Sequence, residues 1–178
     1  MVDVREASKS DLQSIKETVK SAFFSEGKDK IFNEWEFVER VTKDKGFVKE
    51  LCLVAVKDEK IIGYILLSKA EIGKNQGLSL GPLAVTRACQ KLGVGKLLVK
   101  KGLEQAKALG YEWVALTGGD YYFQFGFEPA LQHSIILSEN NPENKYLKIN
   151  FFNGSNLSGV CGVMKFCESF YNEKGELL

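Results

Sequence analysis

The sequence predicts an α/β protein whose mixed, largely antiparallel sheet is flanked by helices. Residues 78–85, 91–109 and 113–116 read as strand, helix and strand, a βαβ unit whose two strands are parallel neighbours. Two apolar runs joined by a short polar turn, within residues 51–68, predict an antiparallel hairpin. The last third of the chain is rich in short strand patterns, which adds further strands to the same sheet.

The N-terminal part predicts one strand and two helices. Residues 2–5 alternate like a strand, and Ser8 followed by Asp11 resembles a capping box that starts a helix. Apolar residues recur at helical spacing after this cap and again over residues 31–42. The helices are expected to lie on either side of a loop.

The rest of the chain alternates strand patterns with turn signals. Gly110 and Gly126 follow the two predicted helices of this part, where a left-handed residue ends a helix. The predicted strands are 51–56, 61–68, 78–85, 113–116, 134–137, 146–149 and 159–166, the helices are 91–109 and 121–125, and residues 73–77 are a loop.

Composition predicts one soluble domain over residues 1–178. Hydrophobic residues make up 44% of the 178 residues, and the net charge of +1 gives no indication of a nucleic-acid or membrane partner. There is one histidine, and the four cysteines lack the spacing of metal ligands, so no metal site is expected. Neither a signal peptide nor a membrane span is recognisable, which favours the cytoplasm.

A glycine-bearing turn stands between the central strand and its helix, with the pattern Gln90-x-x-Gly93-x-Gly95. Glycines let the backbone approach a ligand closely, and the free N–H groups of a helix N-terminus attract anions. The turn is therefore a candidate phosphate site. The alternative is an ordinary strand-to-helix connection without a ligand.

The sequences on both sides of this turn carry a family resemblance. Leu-Gly-Pro-Leu-Ala-Val ends at Val85, and Tyr-Tyr-Phe-Gln-Phe-Gly-Phe begins at Tyr121. With the glycine turn, these segments resemble the GCN5-related N-acetyltransferase (GNAT) superfamily, in particular a bacterial branch with Tyr-Tyr-x-Arg-Phe-Gly-Phe after the loop. The resemblance covers most of the chain.

The resemblance implies acetyl transfer from acetyl-CoA to an amine. It implies a bulged central strand that diverges from its parallel neighbour, with the pantetheine arm in the gap and the pyrophosphate on the loop. The implied coenzyme-binding residues are Leu83, Ala84, Val85, Gln90, Lys91, Leu92, Gly93, Val94, Gly95, Lys96 and Phe125.

Tyr122 stands four residues before Gly126, where many members of the family place the tyrosine that protonates the departing thiolate. The alternative is that Tyr122 only packs the short helix. The general base is not identified: Glu71 and Asp120 are candidates, and His133 is expected to be structural or exposed. The loop between the first two helices covers the acceptor in this family, which makes Phe24 and Glu26 substrate-side candidates.

The chain departs from the branch pattern at several positions. Arg87 replaces a proline, Lys91 a glycine, Thr117-Gly118-Gly119 a Gly-Asp-Pro, and Gln124 an arginine. The last two lie near the thiol and acceptor ends, so the acceptor, a primary amine of a small molecule or of a peptide or protein, is left open. A non-catalytic acyl-CoA-binding sensor is the second reading. A nucleotide-binding domain is the third, although the third glycine of a dinucleotide loop is missing. The chain is expected to be a monomer or homodimer.

Overall fold

The structure, a computed structural model, describes residues 1–23 and 33–178. Its main feature is a mixed sheet in which β1 to β5 lie side by side, followed by β8 and β6, while β9 pairs with β3 and with β7. The strands are β1 (Asp3–Glu6), β2 (Cys52–Lys57), β3 (Lys60–Ile72), β4 (Asn75–Val85), β5 (Trp113–Thr117), β6 (Glu128–Pro129), β7 (Ile135–Ile136), β8 (Leu147–Phe151) and β9 (Gly162–Lys165).

Three α-helices cover the sheet: α1 (Leu12–Phe23), α2 (Glu34–Val41) and α3 (Val94–Ala108). Before α1, the Asp11 carboxylate accepts a hydrogen bond from the Ser8 N–H at 2.7 Å, as the capping pattern predicts. Asp11 also accepts from Arg5 Nη1 at 2.7 Å, which ties the start of the helix to β1.

The helices lie on opposite faces because side chains alternate along the strands. Ile65 and Leu67 of β3 belong to the core under α3, whereas Tyr64 and Leu66 belong to the core under α1 and α2. The predicted α/β architecture is therefore confirmed, including the parallel pairing of β4 and β5 in an otherwise mostly antiparallel sheet.

Several predicted bounds were wrong. Residues 75–77 are not a loop, since β4 begins at Asn75 and makes a long hairpin with β3. Helix α3 begins at Val94 rather than at residue 91, because Lys91 and Gly93 have φ of 62° and 85°. The predicted strand 134–137 shortens to β7, and the predicted helix 121–125 is the 3-10 helix Asp120–Phe125.

Candidate active site

Strands β4 and β5 pair only at their N-terminal ends. The parallel register consists of Leu78 opposite Val114 and Ser79 opposite Ala115, although β4 continues to Val85 and β5 to Thr117. Beyond these pairs the two strands diverge. The predicted divergence is confirmed, and it leaves an opening, here called the slot, between their C-terminal ends.

A bulge in β4 lies where the strands separate. Leu80 is opposite Leu67 and Leu83 is opposite Ile65, so Gly81 and Pro82 together face a single residue of β3. A bulge bends its strand and interrupts the ladder. The bulge predicted for the central strand is therefore present, and it begins the segment that lines the slot.

The backbone of β4 after the bulge presents two residues to the slot. The Thr86 N–H donates to Ile62 C=O at 2.9 Å, so Thr86 and, by alternation, Ala84 face β3. Leu83 and Val85 consequently direct their N–H and C=O groups to the open edge. Gln90 Nε2 donates to Val85 C=O at 3.0 Å, which ties the following loop to the strand. Ala84 instead buries its side chain under α1 and α2.

The loop after β4 ends in N–H groups that have no acceptor within the helix that follows. The first hydrogen bond of α3 runs from the Leu97 N–H to Gly93 C=O at 3.0 Å, so the N–H groups of residues 94–96 have no acceptor within the helix. Gly93, at φ 85°, turns the chain into the helix, and a side chain there would meet no protein atom within 4 Å. These N–H groups and the helix dipole make this end of α3 suitable for an anion.

A cavity of about 430 Å³ lies between the loop and the segment after β5. It brings together seven of the predicted coenzyme residues and two residues that were not predicted. Its lining consists of Leu83, Val85, Gln90, Lys91, Gly93, Gly95, Lys96, Tyr121 and Gln124. A larger cavity, about 860 Å³, lies beside the N-terminal part of α1 and the C-terminal part of α2, but neither the glycine loop nor the open edge of β4 lines it.

The remaining predicted coenzyme residues lie around this lining. Leu92 is exposed at the tip of the loop, whereas the Val94 side chain is buried and leaves only its backbone available. Phe125 packs on the core under α3, with its ring centroid 5.4 Å from that of Tyr121. These residues support the loop and the wall of the slot but do not line the cavity.

Two tyrosines stand side by side on the 3-10 helix Asp120–Phe125 and differ in their surroundings. Tyr121 lines the cavity, and its hydroxyl lies 3.3 Å from the point where a Cβ of Gly95 would stand. Tyr122 turns inward and packs edge-on against Phe127, with ring centroids 5.9 Å apart. Burial, with a smaller effect of Tyr121, raises the pKa of Tyr122 to about 12.

Tyr121 and Gln124 were missed as lining residues. A 3-10 helix has three residues per turn, so residues three apart share one side. Gln124 Nε2 donates to Tyr121 C=O at 2.9 Å, and both side chains face the cavity. The sequence reads as an α-helix here, and the sequence signal that would have found the pair is the short, glycine-terminated span typical of a 3-10 turn.

The structure separates the candidates for the general base. Glu71 lies opposite Gln76 near the β3–β4 turn, at the end of β4 remote from the slot, so it is not brought to the site. Asp120 begins the 3-10 helix that carries Tyr121. His133 contacts Glu128 at 2.7 Å, and Glu128 belongs to the edge strand β6. Phe24 and Glu26 fall outside the described residues.

The comparisons with known proteins agree with this geometry. The model of the acetyltransferase (GNAT) family matches residues 12–127. The chain belongs to the GNAT acetyltransferase family. The uncharacterized N-acetyltransferase YjhQ of Escherichia coli (strain K12) is 33% identical to this chain over 127 residues. The match covers 68% of this chain and 66% of YjhQ.

Two solved structures show the same GNAT fold. The crystal structure of the GNAT family N-acetyltransferase YhbS from Escherichia coli in complex with CoA has a TM-score of 0.82 at 26% identity, covering 95% of this chain and 91% of YhbS. The crystal structure of a GNAT family acetyltransferase from Brucella melitensis in complex with acetyl-CoA has a TM-score of 0.77 at 25% identity. The match covers 96% of this chain and 98% of the Brucella chain.

GNAT membership confirms the predicted family, fold and general class of enzyme, an acetyltransferase. Among residues 1–23 and 33–178, no group of side chains has the composition and proximity of a metal site. Within those same ranges, no helix is both long and apolar enough to span a membrane.

Proposed function

We propose that this protein transfers the acetyl group of acetyl-CoA to a primary amine, on a small molecule or on a peptide or protein, by direct attack in a ternary complex. The observation that carries the proposal is the slot between β4 and β5, which opens beside a glycine loop and a helix N-terminus. Relatives of the same fold bind CoA or acetyl-CoA in their crystal structures, which supports this use of the slot.

The donor end of the proposed reaction uses backbone groups. The N–H groups around Gly93 and Gly95 hold the pyrophosphate, and Lys91 and Lys96, which line the cavity, add positive charge. The open-edge groups of Leu83 and Val85 pair with the pantetheine arm. One of their N–H groups polarises the thioester carbonyl, a contribution whose loss costs about 2.7–4 kcal/mol in comparable oxyanion sites.

The proton steps are assigned to residues of the 3-10 helix Asp120–Phe125, which lies across the slot from the glycine loop. We assign Tyr122 as the general acid that protonates the departing thiolate, because it stands four residues before Gly126, where many GNAT enzymes place the tyrosine with this role. Burial raises the pKa of Tyr122, so the phenol holds its proton before the reaction. Asp120 is the described candidate for drawing the proton from the amine, through water, since it adjoins Tyr121 at the slot. Attack by the neutral amine on the thioester carbon forms the amide and releases the thiol of CoA.

The setting of the proposed reaction is the cytoplasm. Cys52, Cys89, Cys161 and Cys167 are all free thiols, which suits a reducing compartment.

Two measurements on the full chain test the proposal in order. Titration calorimetry with acetyl-CoA tests the slot, and release of free thiol from acetyl-CoA in the presence of an amine panel tests the chemistry. Binding with amine-dependent thiol release supports the proposal. Binding without release from any amine favours the non-catalytic sensor, and absence of binding rejects both readings.

A further inference from the structure

Lys148 of β8 is a buried cation without a buried anion. Its side chain belongs to a residue only 1% exposed, and no carboxylate pairs with it in the described parts of the chain. Its Nζ donates to Gly118 C=O at 2.5 Å and to Lys145 C=O at 3.3 Å, and it lies 5.1 Å from the ring centroid of Phe123. An ammonium group has three donors, and two carbonyls and one aromatic face accommodate them.

Lys148 lies on the strand that supports β5 where β5 borders the slot. Beyond Ala115, β5 has lost β4 as a neighbour, and β8 is its remaining partner strand. Lys148 stands opposite Leu116 in that pairing. The Gly118 N–H also donates to Tyr146 C=O at 2.9 Å, so both backbone polar groups of Gly118 are held by β8 and the residue before it. The turn after β5 is therefore fixed from outside the slot.

The turn has little rigidity of its own. Gly118-Gly119 stands where the resembling bacterial branch has Asp-Pro, and glycine has the largest conformational freedom to lose on folding. Directly after the turn comes the 3-10 helix with Tyr121 and Tyr122. An interaction that fixes the position of Gly118 consequently also restrains the 3-10 helix that carries Tyr121 and Tyr122.

We propose that Lys148 is a positioning residue for the acetyltransferase reaction. It holds the Gly118 carbonyl. It thereby sets the distance, across the slot, between the glycine loop and the 3-10 helix that carries Tyr121 and Tyr122. The consequence for catalysis rests on the proposed function, whereas the positioning itself concerns the turn alone. A buried charge is costly unless its donors are satisfied, so the ammonium and the turn stabilise each other.

The decisive variants remove the tie and then replace it. Lys148→Met keeps a flexible side chain of similar length and removes the donors, and Lys148→Arg keeps the charge. Lys165→Met, at an exposed position of β9, is the matched control. Gly119→Pro restores rigidity by another route: Gly119 has φ −78°, close to the proline value of about −65°, and a Cβ there meets no atom within 4 Å.

Hydrogen exchange of the amides in residues 117–126 and the Kd for acetyl-CoA are the readouts. In Lys148→Met we expect faster exchange confined to this segment and acetyl-CoA binding weakened about tenfold, the effect of losing one hydrogen bond to a charged group. Lys148→Arg and Lys165→Met should stay within about twofold of the parent. Gly119→Pro in the Lys148→Met background should recover most of the slow exchange and of the affinity.

Two results would overturn the positioning role. One is unchanged exchange in Lys148→Met. The other is a loss of protection spread over the whole chain that Gly119→Pro does not recover, since a merely structural lysine would behave in that way. If the parent itself does not bind acetyl-CoA, the proposed function fails, and the exchange measurement with its rescue variant alone still decides the role of Lys148.

Discussion

At the scale of single residues, the burial of Tyr122 and the exposure of Tyr121 give the two phenols different expected roles. Tyr122→Phe keeps the ring that packs on Phe127 and removes only the hydroxyl. If Tyr122 is the general acid, turnover falls by about 10²-fold or more, whereas the Kd for acetyl-CoA stays within about twofold. Thiol release on an accepted amine and calorimetry measure the two quantities.

Tyr121→Phe is the matched control for that substitution. Its hydroxyl faces Gly95 at the loop end of the cavity, so its loss should affect coenzyme affinity more than turnover. Equal turnover of the parent and of both phenylalanine variants would contradict the acid role of Tyr122.

The raised pKa of Tyr122 gives a pH profile. Burial raises that pKa to about 12, so the phenol keeps its proton well above the usual tyrosine value of about 10. Turnover should therefore rise with pH as the amine substrate loses its proton, without a fall from ionisation of Tyr122 up to about pH 10. A fall near pH 10 that disappears in Tyr122→Phe would show that Tyr122 ionises at its usual pKa, which would contradict the effect of burial but not the acid role.

At the scale of elements, the turn into α3 is where we expect a new side chain to interfere with coenzyme binding. Gly93→Glu puts a carboxylate beside the N–H groups that we assign to the pyrophosphate. Like charges repel and the N–H groups are taken up, so acetyl-CoA affinity should fall by about 10²-fold, the loss of roughly two hydrogen bonds to a charged group. Calorimetry on the folded variant measures this loss.

The same helix offers the control. Gly110, just beyond the C-terminal end of α3, has φ 88° against 85° for Gly93, and neither position has protein atoms within 4 Å of a Cβ. Gly110→Glu should therefore carry a similar backbone strain, about 1–2 kcal/mol, without affecting the coenzyme. Comparable affinity in the two glutamate variants would reject the loop as the pyrophosphate site.

Some elements of the fold and the site were predictable from the sequence, and others were not. The strands beside the glycine turn, the divergence of β4 from β5 and the left-handed end at Gly126 followed from local patterns and the family resemblance. The start of α3 did not, because Lys91 adopts φ 62°, which its residue type does not indicate. Lys148 could not be found either, since an isolated lysine in a strand pattern reads as a solvated residue until its neighbours are known.

At the scale of the whole molecule, Asp44 connects distant parts of the chain. Its carboxylate accepts hydrogen bonds from Ser169 Oγ at 2.6 Å, Ser169 N at 2.7 Å and Gly46 N at 2.7 Å. Burial raises the pKa of Asp44, but the bonds from Ser169 and Gly46 outweigh it and leave the pKa below its usual value. The connection between α2 and β2 is thereby fastened to the C-terminal segment.

This lowered pKa makes stability depend on acid. The folded state holds the proton less tightly than the unfolded chain, so the contribution of Asp44 is present above the unfolded pKa of about 3.9 and is lost as pH falls through the folded pKa. Asp44→Asn should lower the free energy of unfolding by about 1.5–3 kcal/mol at pH 7 and by less in acid. Urea unfolding at pH 7 and at about pH 3 measures both values.

The exposed Glu173 provides a control for that comparison, because Glu173→Gln removes a carboxylate from the same C-terminal segment without removing a hydrogen bond of the described structure. It should leave the free energy of unfolding within about 0.5 kcal/mol of the parent at neutral pH. A loss that is equally large for Asp44→Asn at both pH values would mean that the charge of Asp44 is unimportant.

The bulge gives β4 one residue more than the pairing with β3 requires. Leu80 before the bulge and Leu83 after it both lie toward α3, and they are opposite Leu67 and Ile65 of β3. Removing Pro82 would bring β4 into frame with β3 and leave each of these side chains on its present face. We expect such a deletion to keep the core while taking away the irregularity that accompanies the slot. If the proposed function holds, the capacity to bind a donor is encoded in β4 as a one-residue insertion, separable from the residues that make the chain fold.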